Sequence, residues 1–158
     1  MKSLFLVIAL LAPSLSFADN WCNVPLQSTD GTVINLDFQM NYDGGFYVDP
    51  LWVNVAGNIQ PTDTITAFLQ QRDGDNQGLQ IKSVALTYDK NSKKFTGNLD
   101  TGGISVAAPD AQGRPYAHQE NFWIQKNGVI LTDPVSQNRS FVVDLYSVHT
   151  KNPCFKQN

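Results

Sequence analysis

Apolar residues recur at every second position through most of this chain, and no window of a dozen residues sustains a helical spacing of 3.6. Period-two alternation is the pattern of a strand with one face buried and one face wet. Ile34, Leu36, Phe38 and Met40 alternate with Asn35, Asp37 and Gln39. Leu51, Val53 and Val55 alternate with Trp52, Asn54 and Ala56, with Pro50 suggesting a strand start or an edge. Ile65, Ala67 and Leu69 form a third run; Leu79 and Ile81 give way to Val84, Leu86 and Tyr88 on the other parity. That phase slip near Lys82-Ser83 predicts a β-bulge. Phe95 to Leu99, Ile104 to Val106 and Phe122 to Ile124 follow, and then Asn127-Gly128, a strong hairpin signal, leads into Val129 to Leu131. Phe141, Val143 and Leu145 close the pattern. About nine strands separated by Asp-, Asn- and Gly-rich turns exclude parallel βαβ architectures, whose crossovers need helices. The expected class is all-β, a two-sheet antiparallel β-sandwich, with a closed or partly open β-barrel as the alternative.

The first eighteen residues read as a cleavable signal peptide. Lys2 supplies a positive start, Leu4 to Ala12 an apolar run, and Ser16 and Ala18 a small-residue cleavage pattern. Residues 19–158 then form one expected domain, secreted, periplasmic or extracellular, with no later stretch long and apolar enough to span a membrane as a helix. Export makes the two cysteines readable: Cys22 and Cys154, each near one end of that domain, are expected to form a disulfide, bringing the first and last strands side by side.

Composition narrows the partners. The net charge is -3, with three arginines far apart in sequence (Arg72, Arg114, Arg139), which argues against nucleic-acid binding. Two cysteines cannot build a four-cysteine zinc module. Thirteen Asp stand against one Glu, Glu120, a bias toward polar turns rather than helices.

Few constellations point to chemistry. His118 and His149 are the only histidines, and no Gly-x-Ser-x-Gly elbow accompanies them. Glu120, close to His118 and followed by Asn121-Phe122-Trp123, gives a hydrolase reading in which Glu120 and His118 act with an Asp. His118 and Glu120 also share a strand face as potential metal ligands, although a third ligand would have to come from elsewhere. No cofactor is expected, with one opening for calcium. Asp73-Gly74-Asp75-Asn76-Gln77-Gly78 resembles the first half of an EF-hand loop, with Asp73, Asp75 and Asn76 as ligands. It departs at Gln77, and Val84 stands at the twelfth position where a bidentate Glu belongs.

Binding fits the remaining pattern better than catalysis. Tyr47, Trp52, Phe68, Trp123 and Tyr146 fall on the polar parity of their strands and are expected on an outer face or under a loop, as ligand-binding residues. Aromatic rings beside Asn, Gln and Asp suit a glycan, whose pyranose faces stack on rings while amides take the hydroxyls, or a protein surface. The leading expectation is therefore a small, non-catalytic binding domain for a glycan or an extracellular or periplasmic protein. A structural or adhesive subunit of an envelope or fibre, assembled through strand edges, is a further alternative. Phe122 to Phe141 loosely resembles the C-terminal hairpin of some starch-binding β-sandwich modules. It departs from that pattern at Thr132, Pro134, Val135 and Ser140, and it identifies no family.

Overall fold

The computed structural model describes residues 20–42, 46–72, 79–100, 104–107, 120–145 and positions 148, 151 and 154. Eleven strands lie within them: β1 (Cys22–Gln27), β2 (Thr32–Tyr42), β3 (Phe46–Gly57), β4 (Ile65–Arg72), β5 (Leu79–Ala85), β6 (Thr87–Asp89), β7 (Lys94–Leu99), β8 (Ile104–Ala107), β9 (Glu120–Lys126), β10 (Val129–Ile130) and β11 (Phe141–Val143). They form two antiparallel sheets with open edges, a sandwich rather than a closed barrel. The first sheet runs β1-β2-β3-β7-β6, with β8 also on β3; the second runs β10-β9-β4-β5, with β11 also on β9.

The alternating positions supply the core. Ile34, Leu36, Phe38 and Met40 of β2, with Leu51, Val53 and Val55 of β3, face inward from the first sheet. Ile65, Ala67 and Leu69 of β4, with Phe122 and Ile124 of β9, face inward from the second, and all join one apolar cluster. The Asn127-Gly128 turn connects β9 to β10 with both residues at positive φ (53° and 79°), the type I′ geometry that matches strand twist.

Three local readings need correction. Pro50 neither starts β3 nor lies on an edge; it sits within an interior strand at an irregularity where Asp49 and Pro50 oppose Gln39. That extra residue turns both Val48 and Leu51 inward and puts Tyr47 and Trp52 on the outer parity. The phase slip near Lys82-Ser83 is not a bulge, because β5 pairs with β4 in unbroken register from Leu79 to Ala85. Ile81 faces outward and Val84 inward along one regular strand, and the chain then changes sheets at Leu86, whose N–H donates to the Ile65 carbonyl (2.8 Å) before β6 joins the first sheet. A Cβ on Gly97 would lie 2.8 Å from Leu86 Cδ2, so the absence of a side chain there makes room for the crossing. Finally, the terminal pattern does not run to Leu145 as a strand: β11 stops at Val143, and the Val148 N–H donates to the Asp144 carbonyl (3.2 Å), a helical bond.

The disulfide joins Cys22 to Cys154 with Cα atoms 5.3 Å apart. Cys154 is not on a strand; its carbonyl accepts the Met40 N–H (2.7 Å), pinning the end of the chain to β2. The edges β1 and β11 still lie alongside, one in each sheet, and a cleft of about 370 Å³ between them is lined by Pro25, Leu26, Phe141 and Val142 among others.

A polar clasp closes the opposite end of the sandwich. Lys126, at the end of β9, bonds to the Asp30 carboxylate, the Asn58 carbonyl (2.8 Å) and Thr32 Oγ1 (3.3 Å), tying the second sheet to the first. Partial burial pushes the Asp30 pKa up, but hydrogen bonds from Lys126, Ser28 and Thr32 outweigh it and hold the carboxyl well below the ordinary range. A depressed acid contributes stability that is complete above about pH 4 and lost as pH falls further. Asp30→Ala is therefore expected to cost about 1–2 kcal/mol at neutral pH, with the difference shrinking in strong acid. Urea unfolding of both proteins across the acid range checks this.

Candidate functional site

The outer face of the first sheet carries a row of polar and aromatic side chains set by register alone. Asn23 of β1 pairs with Asp37 of β2, Asp37 with Trp52 of β3, and Trp52 with Asn98 of β7. Asn54, two residues beyond Trp52, is the diagonal neighbour of Asp37. The carboxylate is held from both sides: Asn23 Nδ2 donates to Oδ1 (2.6 Å) and Asn54 Nδ2 donates to Oδ2 (2.7 Å). Trp21, immediately before β1, completes the group, and Trp21, Asp37, Trp52 and Asn54 line a shallow concavity of about 320 Å³. Both indoles are open to solvent, Trp21 at 40% and Trp52 at 39%, whereas most large apolar side chains here are buried.

Two open indoles around a fixed carboxylate offer what a small polar ligand with an apolar face needs. The rings supply flat, polarisable contact area at little entropic cost, and the oriented carboxylate supplies acceptors. Asp37 has neighbours that fix its rotamer before a ligand arrives, which lowers the ordering cost of binding.

The expected ligand-binding residues divide between two faces. Tyr47, half-buried, shares the first sheet's outer parity with Trp52. Phe68 and Trp123 lie on the outer face of the second sheet, opposite one another on β4 and β9. Their rings stack in parallel, with centroids 5.1 Å apart and planes 2° from each other, so each covers one face of the other. Gln70, Asn121, Ile81 and Val142 flank that pair, the last two 57% and 55% exposed. Ile81 points away from the core because it pairs with Gln70 on the outer parity of β4, whereas Val84 pairs with the inward Ala67. Tyr146 lies outside the described residues, as do His118, His149 and the candidate calcium ligands Asp73, Asp75 and Asn76. Among the described residues, no three His, Cys, Asp or Glu side chains come together as a metal site.

Glu120 opens β9 but is enclosed rather than at the surface. It shares the inward parity of Phe122 and Ile124, is 0% exposed, and no side chain donates to either carboxyl oxygen. Burial raises its pKa from 4.5 to about 8; the backbone N–H groups of Leu145 and of Glu120 itself oppose the rise, and the Asp144 charge adds a smaller push upward. At neutral pH it is mainly a protonated acid inside the core.

Sequence reading missed Trp21, Asn23, Asp37 and Asn54 as members of a site. Trp21 belongs to no alternating run, and the other three are ordinary polar-parity residues until the register of three strands brings them together. No family model, curated protein or solved structure matches this chain.

Proposed function

We propose that this chain is an exported, non-catalytic β-sandwich binding domain that holds a glycan on the outer face of its first sheet. One observation carries the reading: Trp21 and Trp52 stand open beside Asp37, which Asn23 and Asn54 fix in place. A pyranose stacks on indole through its C–H face and gives its hydroxyl protons to the carboxylate and the amide carbonyls. The disulfide fits an oxidising compartment, and no helix among the described residues is long and apolar enough to cross a membrane.

Other readings draw less support. The Glu120 carboxyl is enclosed in the core, where no substrate touches it, so it lends nothing to hydrolysis with His118. Assembly through strand edges is weakened at β1, where Pro25 leaves the open edge without one backbone donor.

Tryptophan fluorescence titration of the residue 19–158 protein against a panel of oligosaccharides tests the proposal. Trp52→Ala is expected to cost about 2 kcal/mol of binding, roughly 30-fold in Kd, as an exposed aromatic anchor does. Trp123→Ala is expected to leave binding unchanged. A loss with Trp123→Ala but not with Trp52→Ala would move the site to the second sheet, and no binding to any oligosaccharide would end the glycan reading.

A further inference from the structure

The charge balance of the Trp21–Trp52 concavity selects among glycans, an inference that rests on the proposed glycan-binding role of this face. Among the described residues, Asp37 is the only charged one lining it. Its two hydrogen bonds come from neutral amides, Asn23 and Asn54, and use two of the roughly four acceptor positions of a carboxylate. The other outward residues of these rows, Asn35, Asn98, Thr96 and Pro25, are also neutral. The charge of Asp37 is therefore oriented, and no described residue of these rows compensates it.

The rest of the lining has the same sign preference. Both amide groups are turned toward Asp37, which leaves the Asn23 and Asn54 carbonyl oxygens as the free ends of those side chains. The faces of the two indoles are electron-rich and attract cations. A net charge of -3 on the whole chain adds a weak long-range pull of the same kind. Neutral sugars would meet the carboxylate with hydroxyls alone, and acidic sugars would be repelled. A protonated amine on a sugar ring satisfies all three elements together: the ring stacks, the ammonium lies against the indole faces, and its protons go to Asp37.

We infer that the glycan recognised here is an amino sugar polymer bearing free, protonated amino groups, with Asp37 as the residue that reads the charge. Calorimetric titration of the residue 19–158 protein in mildly acidic buffer, where such amines are protonated, provides the test. The probes are a β-linked glucosamine oligosaccharide, its fully N-acetylated counterpart, and a glucose oligosaccharide of the same length and linkage. The glucosamine oligomer is expected to bind at least about tenfold more tightly than either neutral oligomer, with the advantage falling as salt is raised. Asp37→Asn is expected to bring the three affinities together, whereas Trp52→Ala weakens all three. Equal binding of all three by the unaltered protein overturns the amine preference and leaves glycan binding standing; binding of none overturns both. Competition by tetramethylammonium as effective as the oligomer would overturn the sugar component of the inference.

Discussion

Removing the Cys22–Cys154 bond is expected to lower the unfolding free energy by about 5 kcal/mol. The bond joins residues 132 positions apart, so it ties nearly the whole described chain into one loop. Chain-entropy arguments give loops of that size the greatest stabilisation, because the crosslink removes the most freedom from the unfolded state. Both cysteines are fully buried, and the Met40–Cys154 backbone bond depends on the end of the chain staying against β2. Urea unfolding with and without reductant is the measurement. With a typical slope of about 2 kcal/mol per molar, the midpoint should fall by roughly 2 M or more. Coincident midpoints would show that the sandwich holds its ends together without the bond.

Glu120 is expected to make this protein less stable as pH rises from the mildly acidic range to about pH 8. Its folded pKa of about 8 lies above the ordinary 4.5, so between those values the folded state binds more protons than the unfolded state. Stability must then fall with increasing pH through that window and level off above it. The difference of about three and a half units corresponds to at most roughly 5 kcal/mol across the window. Glu120→Gln should flatten the slope and leave the variant more stable than the parent above pH 8, even though the amide also lacks side-chain partners. Unfolding midpoints in a pH series report this directly; a parent protein with no slope between pH 5 and 8 would show that the carboxyl finds water or a partner. Asp30 works in the opposite direction below about pH 4, so the two effects occupy separate windows and together place maximal stability on the acidic side of neutral.

The fold was legible where each residue reports its own surroundings. Alternation identified the inward faces of β2, β3, β4 and β9, and Asn127-Gly128 fixed a hairpin because few other pairs adopt two positive φ values. Events that depend on two strands at once were not legible. The outward Ile81 looks like a bulge in one dimension, because an exposed apolar residue ahead of the inward Val84 mimics a reversal of parity. β1 went unrecognised because Pro25 interrupts a short pattern, and it tolerates that proline only by lying on an edge. Glu120 carried the correct signal, sharing its phase with Phe122 and Ile124, but the general cost of burying a carboxylate argued the other way. The candidate site was half legible: parity put Trp52 outside, but only register sets Asn23 and Asn54 on Asp37.

Trp21 directly precedes Cys22, so one wall of the concavity hangs from the crosslink while the other, Trp52, belongs to an interior strand. Cutting that covalent tether would loosen the first wall and leave the second in place. The durability of that wall thus depends on the oxidation state of two sulfur atoms as well as on the pairing of β1 with β2, which begins at Cys22 itself.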